Sequence, residues 1–183
     1  TVARDLQRRR GRERQALFVA EGVRTVEALL RSPLVARGAL VSPTLAGAPR
    51  GVALREQLRA RGVPVDDVSD REFASAASTE SPQGILVVAE IPRIELAALH
   101  LGARARLLVL DGVQDPGNAG ALVRTAAALG VDATLAMPGT VDPWNAKVVR
   151  SAMGAIFQHP VLPCRWDALD ALCTEHEIPV WAA

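Results

Sequence analysis

The chain has 183 residues, 49% of them hydrophobic, with a formal net charge of +1, which is ample for a packed core in one or two domains. Two cysteines, wrongly spaced for zinc, imply no disulfide framework, and the polar N-terminus lacks a signal-peptide core. No apolar run is long enough to span a bilayer, so a cytoplasmic protein is the expectation.

Charge is unevenly spread. Residues 1–92 hold 14 basic against 11 acidic side chains, and residues 93–183 hold 7 against 9. Lys147 is the only lysine. Arginine suits bidentate phosphate contacts, although a GC-rich genome produces the same bias. The basic excess begins at once with Arg4, Arg8, Arg9, Arg10, Arg12 and Arg14 against Asp5 and Glu13. On composition alone that segment reads equally as a solvated, partly frayed helix or as an RNA contact.

The chain then alternates. Leu17 to Ala20 reads as a strand, Val23 to Arg31 as a helix, Gly38 to Ser42 as a strand and Leu54 to Arg61 as a helix stopped by Gly62. Val63 to Val68, Arg71 to Ala77 and Gly84 to Ile91 follow as strand, short helix and closing strand. Glu21 and Gly22 precede a helix, where a carboxylate complements the dipole, so Glu21 is expected to cap it. Ser81 to Gly84 reads as a turn, with Gln83 assigned to that turn rather than to RNA. Pro92 to Arg104 carries Pro, Gly and charge and marks a domain boundary; His100 within it reads as a surface residue.

The second unit opens with Leu107 to Leu110, a continuous apolar run of the kind found in a strand buried on both faces. Asp115, Pro116 and Gly117 turn the chain, and Asn118 falls where a helix N-cap belongs. An alanine-rich helix runs to Leu129 and ends at Gly130. A strand, a polar loop and a helix N-terminus is the arrangement in which open α/β sheets place their sites. Arg124 lies mid-helix between Gly120, Ala121, Ala127 and Ala128, a face that another element can approach closely. Spacing alone favours a solvated arginine and an ordinary cap.

Ala133 to Met137 is the next strand, Ala146 to about Gly154 a helix, Gln158 to Leu162 a strand, Asp167 to His176 a helix and Ile178 to Ala182 a strand. Such alternation predicts a parallel sheet covered by helices. A buried parallel strand is a poor chain end, so further residues are expected beyond Ala183. Neither G-x-G-x-x-G nor a Walker A pattern accompanies the first strand. His159 and His176 read as structural, and no Ser-His-Asp or metal-ligand cluster stands out. With few aromatics, RNA recognition would rest on phosphates and shape rather than base stacking.

DPGNAGALVRTAAALG resembles the first signature motif of the SpoU/TrmH branch of the SPOUT methyltransferases, which move a methyl group from S-adenosylmethionine to a ribose 2'-hydroxyl of RNA. VDPWNAKVVRSAMGAIFQHPV resembles the segment after that motif. Upstream, LFVAEGVRTVEALL and STESPQGILVVAE resemble the family's small RNA-binding domain. These ordered matches cover most of the chain.

The resemblance implies an α/β protein: an RNA substrate-binding domain over 1–92, a linker over 93–104 and a parallel-sheet methyltransferase domain of trefoil-knot type over 105–183, C-terminally incomplete. Asn118 would order the catalytic loop. Arg124 would act on the hydroxyl, by the family's usual description as its base; a guanidinium rarely gives up its proton, so a phosphate clamp that stabilises the developing alkoxide is the expected role. Arg150, Arg8, Arg9, Arg10 and Arg12 would contact RNA. The residues that hold S-adenosylmethionine are expected beyond Ala183, and no metal is needed. The implied substrate is ribosomal or transfer RNA and the implied assembly a homodimer, with the motif-one arginine able to serve the partner's site. The alternative is a non-catalytic RNA binder without the cofactor pocket; a small-molecule-binding α/β protein has only the generic sheet in its favour.

Overall fold

A computed structural model describes every residue except Thr1, Ala48, Ala103 and Ala183. Two short helices, α1 (Val2–Asp5) and α2 (Arg9–Gln15), lead into β1 (Leu17–Glu21) and α3 (Val23–Leu30). Then come β2 (Ala36–Val41), α4 (Pro49–Ala60), β3 (Val65–Asp67), α5 (Asp70–Ala74) and β4 (Ile85–Glu90). The strands form one sheet in the order β1-β4-β2-β3, antiparallel except for the β2–β3 pair. Its centre is β4, whose unbroken apolar run suits a strand flanked on both edges.

Beyond residue 104 the chain repeats strand and helix: β5 (Leu107–Leu110), α6 (Pro116–Ala128), β6 (Ala133–Ala136), α7 (Ala146–Ser151), β7 (Val161–Pro163) and α8 (Trp166–Glu175). The three strands pair in parallel in the order β5-β6-β7, Leu107 opposite Ala133 and Thr134 opposite Val161. Parallel neighbours need crossovers, and the intervening segments carry α6 and α7. The mixed α/β architecture with a second, parallel sheet matches the sequence pattern.

Three details differ from it. Helix α7 ends at Ser151 because the chain turns sharply at Gly154, whose φ of +91° is a shape that L side chains rarely adopt. A Cβ there would also lie 2.5 Å from the Cβ of Ala28 on α3. Residues 155–157 then form a 3-10 turn, which pushes the following strand on to Val161–Pro163. Finally, Ile178 to Ala182 forms no strand, and Trp181 is 87% exposed.

One hydrophobic cluster runs through both sheets' surroundings. Phe18, Val26 and Leu29 of the first unit pack with Val123, Trp144, Val149 and Phe157 of the second. The Phe18 ring lies 4.7 Å from that of Trp144 and 5.8 Å from that of Phe157, in tilted geometries that favour aromatic pairs. Burying each such side chain stabilises by roughly 1.5–3 kcal/mol. Helix α7 therefore sits against β1, and the two units are locked face to face rather than strung on the linker. His159 is structural as expected, its buried Nε2 2.8 Å from Oγ1 of Thr134 on β6.

Candidate functional site

The site is assembled on the crossing of α6 and α7. Asp115, not Asn118, caps α6: its Oδ1 accepts from the backbone N–H of Asn118 at 2.7 Å, and Pro116 occupies the first helical turn, where a missing N–H costs nothing. Pro116 at the first helical position starts the helix three residues earlier than the Asn118 cap expected from sequence. Asn118 is thereby released from capping, and its exposed side chain has no hydrogen-bond partner among the described residues.

The loops at the strand ends are tied together beside it. The Met137 N–H and the Thr140 hydroxyl both donate to the Leu110 carbonyl, and the Val141 N–H donates to that of Val113. These loops form one wall of the space at the carboxyl end of the sheet.

Arg124 stands six residues along α6 from Asn118, about 9 Å up the axis and roughly 120° around it, so no direct contact joins the two side chains. It is exposed, and its Nη1 lies 2.8 Å from the sulfur of Met153, just beyond α7. Gly120 makes this possible. A Cβ on Gly120 would sit 2.5 Å from the Ser151 Cβ and 2.6 Å from the Val148 carbonyl oxygen, so only glycine lets α7 come this close. Arg150 and Met153 are carried on the approaching segment.

Arg150 faces the N-terminal unit across a cleft of about 730 Å³ that Met153 also lines. Its Nη1 is 3.4 Å from the Ser78 hydroxyl. Behind that hydroxyl lies Glu21, 3% exposed, which corrects its expected capping role: at the end of β1 its carboxylate points inward and must be satisfied. It accepts from the Ser78 N–H at 2.7 Å, from the Ser78 hydroxyl and from the Thr79 hydroxyl. Gln83 caps α3 instead, its Oε1 accepting from the Val23 N–H at 2.8 Å. A buried acid with two hydroxyl residues downstream was a visible signal, but its partners lie 57 and 58 residues away.

The N-terminal arginines divide. Arg12 is a correction: it is 3% exposed, its Nε and Nη2 both on Asp142 Oδ2 and its Nη1 donating to the Leu6 and Gln7 carbonyls, so no phosphate can reach it. Arg9 is exposed but pairs with Glu13 at 2.7 Å, and that hydrogen bond raises its pKa further above the ordinary arginine value. Arg8 and Arg10 are exposed without side-chain partners among the described residues. No group of three His, Cys, Asp or Glu residues is placed to hold a metal among the described residues, and no helix is long and apolar enough to cross a membrane.

Known proteins share this arrangement. Residues 105–183 match the SpoU rRNA methylase family and residues 2–87 match the MRM3-like substrate binding domain. The chain is 34% identical over 170 residues to the 23S rRNA (guanosine(2553)-2'-O)-methyltransferase RlmP of Bacillus subtilis, covering 91% of this chain and 63% of that protein. A solved RNA 2'-O ribose methyltransferase superposes with a TM-score of 0.79 at 27% identity, over 97% of this chain and 67% of the other. The S-adenosylmethionine-bound rRNA methyltransferase of Sinorhizobium meliloti has the same fold, with a TM-score of 0.78 at 24% identity over 96% of this chain and 63% of that one. The chain thus spans less than two thirds of the curated relatives it matches. The matched segments take in nearly everything but the linker, so over most of its length the chain is similar to the SpoU rRNA methylases.

Proposed function

We propose that the protein is an RNA 2'-O-ribose methyltransferase that takes its methyl group from S-adenosylmethionine and acts on ribosomal RNA in the cytoplasm, as a homodimer. Residues 1–92 serve as the substrate-binding domain, 93–104 as the linker and 105–183 as the N-terminal part of the methyltransferase domain. The observation that carries this reading is the exposed guanidinium of Arg124 beside the α7 segment that bears Arg150, reached through Met153.

The reaction needs a ribose hydroxyl held in line with a methyl carbon and stabilised as it loses its proton. The donor supplies the electrophilic methyl group; the residues of this chain act on the RNA. Arg124 clamps the phosphate beside the target ribose and stabilises negative charge as it grows on O2', an electrostatic role that requires no proton loss from the guanidinium. Asn118, freed from capping, has its side-chain amide available to order the loop between β5 and α6 around the bound RNA. Arg150 steadies the neighbouring phosphate, and Arg8, Arg9 and Arg10 add sequence-independent contacts at the edge. Of the small residues around Arg124, Gly120 is taken up by α7, which leaves Ala121, Ala127 and Ala128 for close packing of a second subunit.

The test is transfer of labelled methyl from S-adenosylmethionine to transcribed 23S rRNA by the full-length protein, followed by alkaline hydrolysis. A 2'-O-methyl group removes the nucleophile that alkali needs, so label in alkali-resistant dinucleotides is the expected result. Label on a base, or no transfer, overturns the reading.

A further inference from the structure

The cleft between the two units is walled by four arginines: Arg150, and three given no role above, Arg24, Arg31 and Arg50. Arg24 in the first turn of α3 and Arg31 at its C-cap are seven residues apart, hence on one face and about 10 Å along it, with Ala28 between them pressed against Gly154. Arg50 comes from the first turn of α4, which packs beside α3. All three are exposed, and none has a side-chain hydrogen bond or ion pair among the described residues. The N-terminal arginines differ: Arg9, Arg12 and Arg14 already hold Glu13, Asp142 and Asp5. Of the two acids on the cleft wall, Glu21 has its oxygens occupied by Ser78 and Thr79, which leaves Glu27. No aromatic side chain lines the cleft.

We infer that this cleft, rather than the Arg8–Arg14 segment, is the principal RNA-docking groove, with Arg24, Arg31 and Arg50 binding consecutive backbone phosphates of the strand that carries the target nucleotide. The inference rests on the methyltransferase reading above and deepens it. Unpaired guanidinium groups over a polar, stacking-poor wall fit a sugar-phosphate backbone and not splayed bases. The cleft also reaches the proposed site: Arg150 and Met153 line it, on the segment whose Gly154 packs against Ala28, and the Met153 sulfur meets Arg124. A strand laid between α3 and α4 is therefore delivered to the proposed methylation point. Because Trp144 and Phe157 bind the units through Phe18, the groove is preformed and its phosphate sites keep a fixed distance from Arg124.

The experiment compares full-length wild type with Arg24→Ala/Arg31→Ala/Arg50→Ala, using transcribed 23S rRNA in filter binding over a salt series and in steady-state methylation. Each phosphate contact contributes about 0.7–0.9 to the slope of log affinity against log salt, so the triple variant should lose about 2–3 from that slope. Its KM for RNA should rise at least about tenfold while kcat at saturating RNA and affinity for S-adenosylmethionine stay near wild type. Arg61→Ala, just past the other end of α4 some 16 Å from Arg50, removes one such charge outside the cleft and should change neither quantity. A triple variant with wild-type slope and KM overturns the groove while leaving the methyltransferase reading intact. The same losses in Arg61→Ala also overturn it, by showing that bulk charge alone is at work. A wild-type protein that binds the RNA but transfers no methyl overturns the parent reading, and the inference falls with it.

Discussion

Arg12 and Asp142 meet across 130 residues of sequence, Nη2 2.6 Å from Oδ2, with the arginine 3% and the aspartate 15% exposed. The pair ties α2, at the front of the chain, to the loop that enters α7. Two charges withdrawn from water are held there by good geometry, and the remaining guanidinium N–H groups go to the Leu6 and Gln7 carbonyls. Arg12→Ala would strand a carboxylate and two carbonyls, so stability should fall by about 3–5 kcal/mol, on the order of 10 °C in Tm for a domain of this size. Arg12→Lys should recover little, since an ammonium cannot serve that fork of acceptors. Calorimetry on both variants decides this; a loss under about 1 kcal/mol in Arg12→Ala means that the pair does not hold the units together.

The α6–α7 crossing yields a second expectation. In Gly120→Ala the new methyl would meet the Ser151 Cβ at 2.5 Å, the Val148 carbonyl at 2.6 Å and the Ala152 nitrogen at 2.9 Å. Two of these are backbone atoms, which cannot rotate away. The helices must separate, at a cost of about 1–3 kcal/mol. Met153 and Arg150 then move from Arg124, so methylation should fall by more than the stability loss explains, at least about tenfold. Adding Ser151→Gly relieves only the side-chain contact and should not restore the rate. Wild-type turnover in Gly120→Ala would separate the crossing from function.

These two cases show what was legible beforehand and what was not. Local patterns located β5, α6 and the parallel sheet, because apolar runs, proline and terminal glycines act within a few residues. The arginine-rich start was ambiguous, because burial of Arg12 depends on Asp142, and no local rule distinguishes it from Arg10. Trp144, which no local pattern marks, is a core residue packed against Phe18. Arg24, Arg31 and Arg50 look like ordinary helix cations until α7 is folded against α3. Asn118 was misplaced as a cap because Asp115 and Pro116, also in view, start the helix earlier.

Arg124 itself admits a direct test. If it stabilises charge on the ribose oxygen, Arg124→Ala should lower kcat by about 10²–10³-fold, the usual loss for one such group, with little change in KM for RNA or in donor binding. Arg124→Lys keeps the charge without the planar fork and should fall between the two. Single-turnover rates with transcribed 23S rRNA are the measurement. An unchanged rate in Arg124→Ala would remove this residue from the chemistry.

His159 makes stability depend on pH. Its ring is buried against β6, with Nε2 2.8 Å from the Thr134 hydroxyl, and burial lowers its pKa below the ordinary 6.5, while Asp132 opposes this more weakly. A histidine held neutral in the folded state has a lower affinity for protons there than in the unfolded chain. Above 6.5 neither state is protonated and the ring's contribution is fully present. As pH falls below that value the unfolded chain takes up a proton that the folded one refuses, so stability is lost until the folded pKa is passed. His159→Gln keeps a partner for Thr134 without a titrating group. Urea unfolding at about pH 7.5 and about pH 5.5 should therefore show a larger acid-side loss in wild type than in His159→Gln. Equal losses would mean that the ring protonates in place, and that the contact with Thr134 does not exclude water from it.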